Sequence, residues 1–258
     1  MRAVAVHPDA LVITSLIWRT TATALRSGEE CMLVDSPYLP DELELLPQLL
    51  GRAGFDPLAL LATHGDFDHL LGRLAFPSLS LGVAESTMLR LRAEPGAAQR
   101  ELREADAELY LERSGPLALG QLQALPVPGK LALGSAELEL HPTEGHTSDG
   151  LAVMARESAV LVCGDYLSDV EIPSLGSGGS VPEYRATLAR LRQLVEAAET
   201  VVPGHGSPRH REAALRILDE DLDYLDALER REERPRLPPG RDSPRQRAVH
   251  AENLRALG

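Results

Sequence analysis

At four places in this chain a short strand-like run leads into histidine or aspartate, and this pattern restricts the fold more than any other feature. Residues 58–63 lead into Thr63-His64-Gly65-Asp66-Phe67-Asp68-His69, and His146 lies in Glu144-Gly145-His146-Thr147-Ser148-Asp149-Gly150. Residues 161–164 end at Asp165, and Val201-Val202 runs into Pro203-Gly204-His205-Gly206. Imidazole and carboxylate are the donors that borderline and hard divalent cations take. Past the strand, alternation turns His64 and Asp66 toward one point. The turn into a helix starting near Asp68 sends Asp68 and His69 toward a second, as a two-metal centre requires.

The rest of the chain supplies many strands that follow one another without an intervening helix. Strands are predicted at 11–18, 20–25, 31–34, 58–63 and 79–83, with a helix over 40–52 carrying Leu43, Leu46, Leu49 and Leu50 at helical spacing. Residues 85–113 carry mixed charges at helical spacing, broken at Pro95-Gly96. Further strands are expected at 121–127, 131–133, 136–140, 151–155, 159–163 and 201–202. An amphipathic helix is expected over 182–198, with Leu188, Leu191, Leu194 and Val195 on one face. From Arg209 the chain reads as helical and charged, interrupted at 234–240. Two strand-rich halves with flanking helices favour an α/β sandwich over a doubly wound sheet.

With these residues in this order, the chain resembles the metallo-β-lactamase superfamily of metallohydrolases, in its glyoxalase II-like branch. The family's pattern is His-x-His-x-Asp-His, then a Gly-His-Thr histidine, a Gly-Asp aspartate and a Gly-His histidine. His64, Asp68, His69, His146, Asp165 and His205 meet it in order. The resemblance implies an αββα sandwich over 1–208, with a helical extension over 209–258 packed on the same domain. It places one divalent ion on His64, Asp66 and His146 and a second on Asp68, His69 and His205, with Asp165 bridging them. Zinc is the ion expected, with iron or manganese as alternatives. Asp66 stands where the family has its second histidine, so an anionic oxygen replaces a neutral nitrogen and hardens the first site. Asp66 can also be read as a solvated or N-capping aspartate. Asp68 is the implied catalytic residue, ligating a metal and orienting the nucleophile.

The implied activity is cleavage of a small ester, thioester or lactone by a hydroxide shared between two metals. Phosphodiester hydrolysis and diiron redox or sulfur-oxygenating chemistry are alternatives on the same fold, and a metal-binding scaffold without turnover is a third. The formal charge, 26 − 39 = −13, argues against a nucleic-acid backbone as partner and leaves a small-molecule substrate. Cys31 and Cys163 are too few for a disulfide framework, which points to a reducing compartment and the cytoplasm. The apolar tract at 10–18 follows Pro8-Asp9 and is too short for a membrane helix, so no membrane partner is expected. The only lysine, Lys130, precedes Leu131, which excludes a phosphate loop, and no Gly-x-Ser-x-Gly elbow marks a serine hydrolase. Asp149 reads as a turn or cap residue, Cys163 as a buried thiol, and Tyr166 and Tyr184 as packing. The glycine-rich loop at 176–180 reads as flexible and as bordering the site's mouth. His7, His141, His210 and His250 read as surface or structural. Oligomeric state is not legible in the sequence.

Overall fold

Strand alternation sorts the apolar residues of this chain into three separate cores. A computed structural model describes residues 1–257. Among these, one sheet contains β1 (Arg2–His7), β2 (Ala10–Thr14), β3 (Thr21–Ser27), β4 (Glu30–Asp35), β5 (Ala59–Leu61), β6 (Leu81–Ala84) and β7 (Leu122–Leu125), paired in that order. The other contains β8 (Gly129–Leu133), β9 (Ala136–Pro142), β10 (Leu151–Ala155), β11 (Val160–Val162), β12 (Thr200–Val202) and β13 (Arg209–His210), paired in the order β13-β12-β11-β10-β9-β8.

Successive side chains on a strand face opposite ways. On β10, Leu151, Val153 and Ala155 meet Ala10, Val12, Met32 and Val34 in a core between the sheets, while Ala152 and Met154 turn outward. On β2 and β4 the outward residues Leu11, Ile13, Cys31 and Leu33 pack with Leu43, Leu46 and Leu50 of α1 (Pro40–Arg52). The short α2 (Gly72–Ala75), α3 (Glu85–Ala93) and α4 (Ala97–Glu108) complete that side, with Met88, Ala98 and Leu102 in the same core. On the other side, Leu188, Leu191 and Val195 of α5 (Val181–Ala197) pack with Leu218 and Leu225 of α6 (Arg211–Glu229) on Ala152, Leu161 and Val201. Val249 and Leu254 of α7 (Pro244–Ala256) join this outer core. The layers run helix, sheet, sheet, helix, which is the αββα sandwich expected from the sequence.

Three local differences from the sequence reading have physical causes. The strand predicted over 11–18 ends at Thr14, because Trp18 and Arg19 adopt left-handed backbone (φ 52° and 55°) in a hairpin closed by Ser15 N–H donating to the Thr20 carbonyl at 2.9 Å. β1 has no counterpart among the predicted strands; it is an edge strand whose apolar content is only alanine and valine. Arg209–His210 pairs with Thr200 and Val201 as a second edge strand, so the long helix begins at Arg211. Among the described residues no helix is long and apolar enough to cross a membrane.

This topology brings distant strand ends together. β11 and β12 are parallel and finish at the same edge, and β10, antiparallel to β11, begins there. β4 and β5 are also parallel, so Asp35 and the segment after Leu61 reach one edge of the other sheet. Leu151 N–H donates to the Thr63 carbonyl at 2.7 Å and Thr21 N–H to the Gly204 carbonyl at 2.8 Å, joining the sheets at that edge.

Candidate metal centre

All seven residues singled out as ligands converge at this edge. Nitrogen and carboxylate atoms of His64, Asp66 and His146 lie within 4.8 Å of one another, as do those of Asp68, His69 and His205. In the first group, Asp66 Oδ2 is 3.6 Å from His64 Nε2 and 3.5 Å from His146 Nε2. In the second, Asp68 Oδ2 is 3.3 Å from His205 Nε2 and Asp68 Oδ1 is 3.9 Å from His69 Nε2. Asp165 lies between the groups. Its Oδ2 is 3.8 Å from His64, 3.5 Å from His146 and 3.4 Å from His205, and its Oδ1 is 3.1 Å from His69. A Cβ at position 204 would overlap Asp165 Oδ1, so the glycine of Pro-Gly-His-Gly makes room for the central carboxylate.

The imidazoles are held from behind. His146 Nδ1 is 2.8 Å from the Ser174 carbonyl and His205 Nδ1 is 3.0 Å from the Trp18 carbonyl, so both Nδ1 atoms donate. His69 Nδ1 is 3.0 Å from Asp35 Oδ2. Thr63 Oγ1 donates to Asp35 Oδ2 at 2.9 Å, which leaves its lone pair to accept from His64 Nδ1 at 3.1 Å. With the proton fixed on Nδ1, each Nε2 presents a lone pair inward. Among the described residues, Nε2 of His64, His69 and His146 and Oδ1 of Asp165 are buried without a hydrogen-bond partner. Buried polar atoms without partners are costly, and divalent cations held by the two groups would satisfy all four. The donor set fits such ions.

The electrostatics agree. Burial opposes ionisation of Asp66, but His64 and His146 outweigh it and hold the carboxyl well below the usual range. Asp165 is held down against burial in the same way by His205 and His69. Burial works against protonation of His69 and His205, and the surrounding carboxylates, Asp165 foremost, push both well up. Without a metal the cluster therefore holds protons where cations would sit.

Several contributors carry no motif. Asp35 ends β4 as Asp165 ends its own apolar run, and that parallel is the one available signal. Arg90 of α3 places Nη2 2.7 Å from Asp66 Oδ1 and Nη1 2.8 Å from Asp149 Oδ1. Asp149 also accepts from Gly65 N–H at 2.9 Å, so the residue read as a turn or cap joins the two segments that carry His64, Asp66 and His146. Glu171 Oε1 lies 4.0 Å from His205 Nδ1. Tyr166 is buried, and its hydroxyl accepts from His146 N–H at 2.8 Å. The glycine-rich loop backs His146 directly, with Gly176 N–H donating to its carbonyl at 2.7 Å. Cys163 is fully buried and stands outside both ligand groups, with Sγ donating to the Tyr166 carbonyl at 3.2 Å. His250 lies in α7, away from the cluster, bonded to Tyr224 and the Glu232 carbonyl.

The sequence profile described as Metallo-beta-lactamase superfamily matches residues 17–205, a span that contains every one of these ligand candidates. The chain belongs to the metallo-beta-lactamase superfamily. Within it, the chain is 27% identical over 203 residues to a Gallus gallus protein named acyl-coenzyme A thioesterase MBLAC2, covering 72% of each. Among solved structures, the metallo-beta-lactamase family protein TTHA1429 from Thermus thermophilus matches with a TM-score of 0.66 at 21% identity, covering 88% of this chain and 82% of that one. TTHA1623, solved in a di-iron-bound form, matches with a TM-score of 0.60 at 24% identity, covering 80% and 97%. These structural likenesses establish the superfamily fold.

Proposed function

We propose that this protein is a metal-dependent hydrolase of a small acyl thioester, with esters and lactones as chemically related substrates, close in activity to the glyoxalase II-like branch. The observation that carries the reading is the convergence of four histidines and three aspartates, in which His64, His69 and His146 keep buried, partnerless Nε2 atoms. His64, Asp66 and His146 would hold one divalent ion and Asp68, His69 and His205 the other, with Asp165 touching both. The name of the Gallus gallus relative supports a thioester over the other acyl bonds.

Divalent ions bound there supply Lewis acidity and lower the pKa of water to about 7. The chain's own residues do the rest. Asp68 accepts a hydrogen bond from the attacking water and fixes the direction of its lone pair toward the acyl carbon. Asp35, Thr63, Ser174 and Trp18 keep the Nδ1 protons in place, so the four imidazoles stay in one tautomer throughout. Trp18 and Phe67, ring centroids 6.2 Å apart, lie next to ligand-holding backbone and offer apolar surface for the acyl chain.

A second reading, iron-based redox chemistry, draws on one feature. Asp66 gives the first site two imidazoles and one carboxylate, the same donors as the second site, and such a set suits iron(II). Hydrolysis of a panel of thioesters, esters and lactones, followed as thiol release for the thioesters and as acid release for the others on metal-loaded and chelated protein, tests the hydrolase. Metal-dependent turnover of a thioester is expected. A metal-replete protein that hydrolyses none of the panel would overturn the reading. Metal content of Asp66→Ala tests Asp66: a fall at the first site is expected, and full metal with full rate would make Asp66 a solvated loop residue.

A further inference from the structure

The edge strands β1 and β13 face each other across a groove of about 720 Å³, a volume in the range of small-molecule sites. Its charged lining is Arg2, Arg19 and Arg209, joined by His210, with no carboxylate among the lining residues. In a chain with 39 acidic and 26 basic residues, an acid-free lining with three guanidinium groups is a local reversal of charge. Arg2 is exposed, and among the described residues it has no ion-pair or hydrogen-bond partner. Arg19 has no carboxylate partner there; its guanidinium bonds the Ser207 hydroxyl. Only Arg209 is paired, with Asp169. Arg19 and Arg209 each also keep a buried Nε–H without an acceptor.

The groove adjoins the metal centre through one short turn. Trp18 and Arg19 are successive left-handed residues, a conformation that non-glycine residues take at a cost and that recurs at functional sites. The Trp18 carbonyl accepts from His205 Nδ1, and the Arg19 carbonyl accepts from Gly206 N–H at 2.9 Å. One face of the turn thus holds a metal-site histidine, while Arg19 and Ser207 line the groove.

We propose that this groove binds the phosphorylated thiol half of the substrate, so that the substrate is a thioester whose thiol carries a nucleotide-like polyanion. This rests on the thioester reading of the metal centre. The acyl carbon lies at the metals, and the phosphates lie along Arg2, Arg19 and Arg209, where guanidinium forks pair with phosphate oxygens. The groove adds binding to the charged half and takes no part in bond cleavage. Its signature is discrimination between thiols.

The test compares an acyl-coenzyme A with the same acyl group on N-acetylcysteamine, a thiol without phosphate, using metal-loaded protein. The wild-type protein should prefer the coenzyme A ester in kcat/KM, with the preference residing in KM and shrinking as salt rises. Arg2→Gln and Arg19→Gln should each cut that preference about three- to tenfold, since partly exposed charge pairs are screened. Arg156→Gln, at a residue outside the groove lining that pairs with Glu139, controls for net charge and should leave the preference as it was. Adenosine 3′,5′-bisphosphate binding, followed calorimetrically, gives a readout without turnover and should weaken in the same two variants. An unchanged preference in the Arg2→Gln/Arg19→Gln double variant overturns the groove while leaving the thioesterase standing. If neither thioester is cleaved, the thioester reading fails. Calorimetry then decides the groove alone: bisphosphate that binds wild type but not the double variant supports it, and wild type that binds none overturns it.

Discussion

Asp35→Asn isolates what the residues behind the metal site contribute. Asp35 has left-handed backbone (φ 58°), which asparagine adopts as readily, so the exchange leaves the chain path alone. The carboxylate accepts from Thr63 N–H at 2.8 Å, from the Thr63 hydroxyl at 2.9 Å and from His69 Nδ1 at 3.0 Å. An amide oxygen can keep the first of these. The amide NH₂ then faces two donors, and each buried bond to a charged group is worth about 1.5–3 kcal/mol. His69 can relieve its own clash by moving its proton from Nδ1 to Nε2, which lets Nδ1 accept from the amide. That tautomer has no lone pair for a metal. The substitution therefore sets metal binding at the second site against a satisfied core. Second-site zinc affinity should fall about 10–100-fold, or roughly 1.4–2.7 kcal/mol, while the first site keeps its affinity. The metal-free protein should lose about 2 kcal/mol, the worth of one bond to a charged group. Zinc titration against a competing chelator resolves the two constants, and nitrogen NMR reports the His69 tautomer. A second-site constant within about twofold of wild type, with His69 still protonated on Nδ1, would refute the reasoning.

The remaining predictions concern pH, the last helix and a buried ion pair. In the metal-free protein, burial opposes protonation of His146, but Asp66 and Asp165 outweigh it and push the imidazole up to about 9 from 6.5. Because the folded value is raised, this stabilisation is complete below about 6.5 and is lost as pH climbs through about 9, roughly 3 kcal/mol in all. Zinc affinity should rise over the same window as protons stop competing, and thermal unfolding and chelator titrations that move in parallel with pH would contradict this. Asn253 of α7 donates to the Pro173 carbonyl at 2.7 Å and accepts from Leu175 N–H at 2.9 Å, bracketing the Ser174 carbonyl that orients His146. Asn253→Ala should cost about 2–4 kcal/mol by denaturant unfolding and weaken the first site several-fold while sparing the second. Arg241 has a side chain 1% exposed and bonds Asp221, itself 2% exposed. Arg241 keeps Glu220 at 2.6 Å when Asp221 is removed, so Asp221→Ala should lose about 1.5–3 kcal/mol, and Asp221→Ala/Arg241→Leu should recover part of that in the same unfolding assay.

The ligand candidates are legible because each ends or follows an apolar strand, and strand ends are where a sandwich gathers polar side chains. His64 to His69 form one local cluster, and Gly145, Gly164 and Gly204 mark the turns that carry the others. The helices are legible from leucine spacing in α1 and α5. The residues behind the ligands are not. Asp35, Arg90, Asp149 and Glu171 come from segments far apart in the chain and meet only through sheet register and helix packing, which no short motif encodes. The left-handed turn at Trp18-Arg19 is equally hidden, since neither residue is glycine and only the contacts with His205 and Gly206 explain it. β1 escapes because an exposed edge strand needs little apolar content.

The most direct test of the account is metal stoichiometry measured together with thioesterase rate. Protein stripped by a chelator and titrated with zinc should reach two ions per chain by elemental analysis, with acyl-thioester turnover rising from background as the ions load. Saturation at one ion per chain, or undiminished turnover in the stripped protein, would contradict a hydrolase built on His64, Asp66, Asp68, His69, His146, Asp165 and His205.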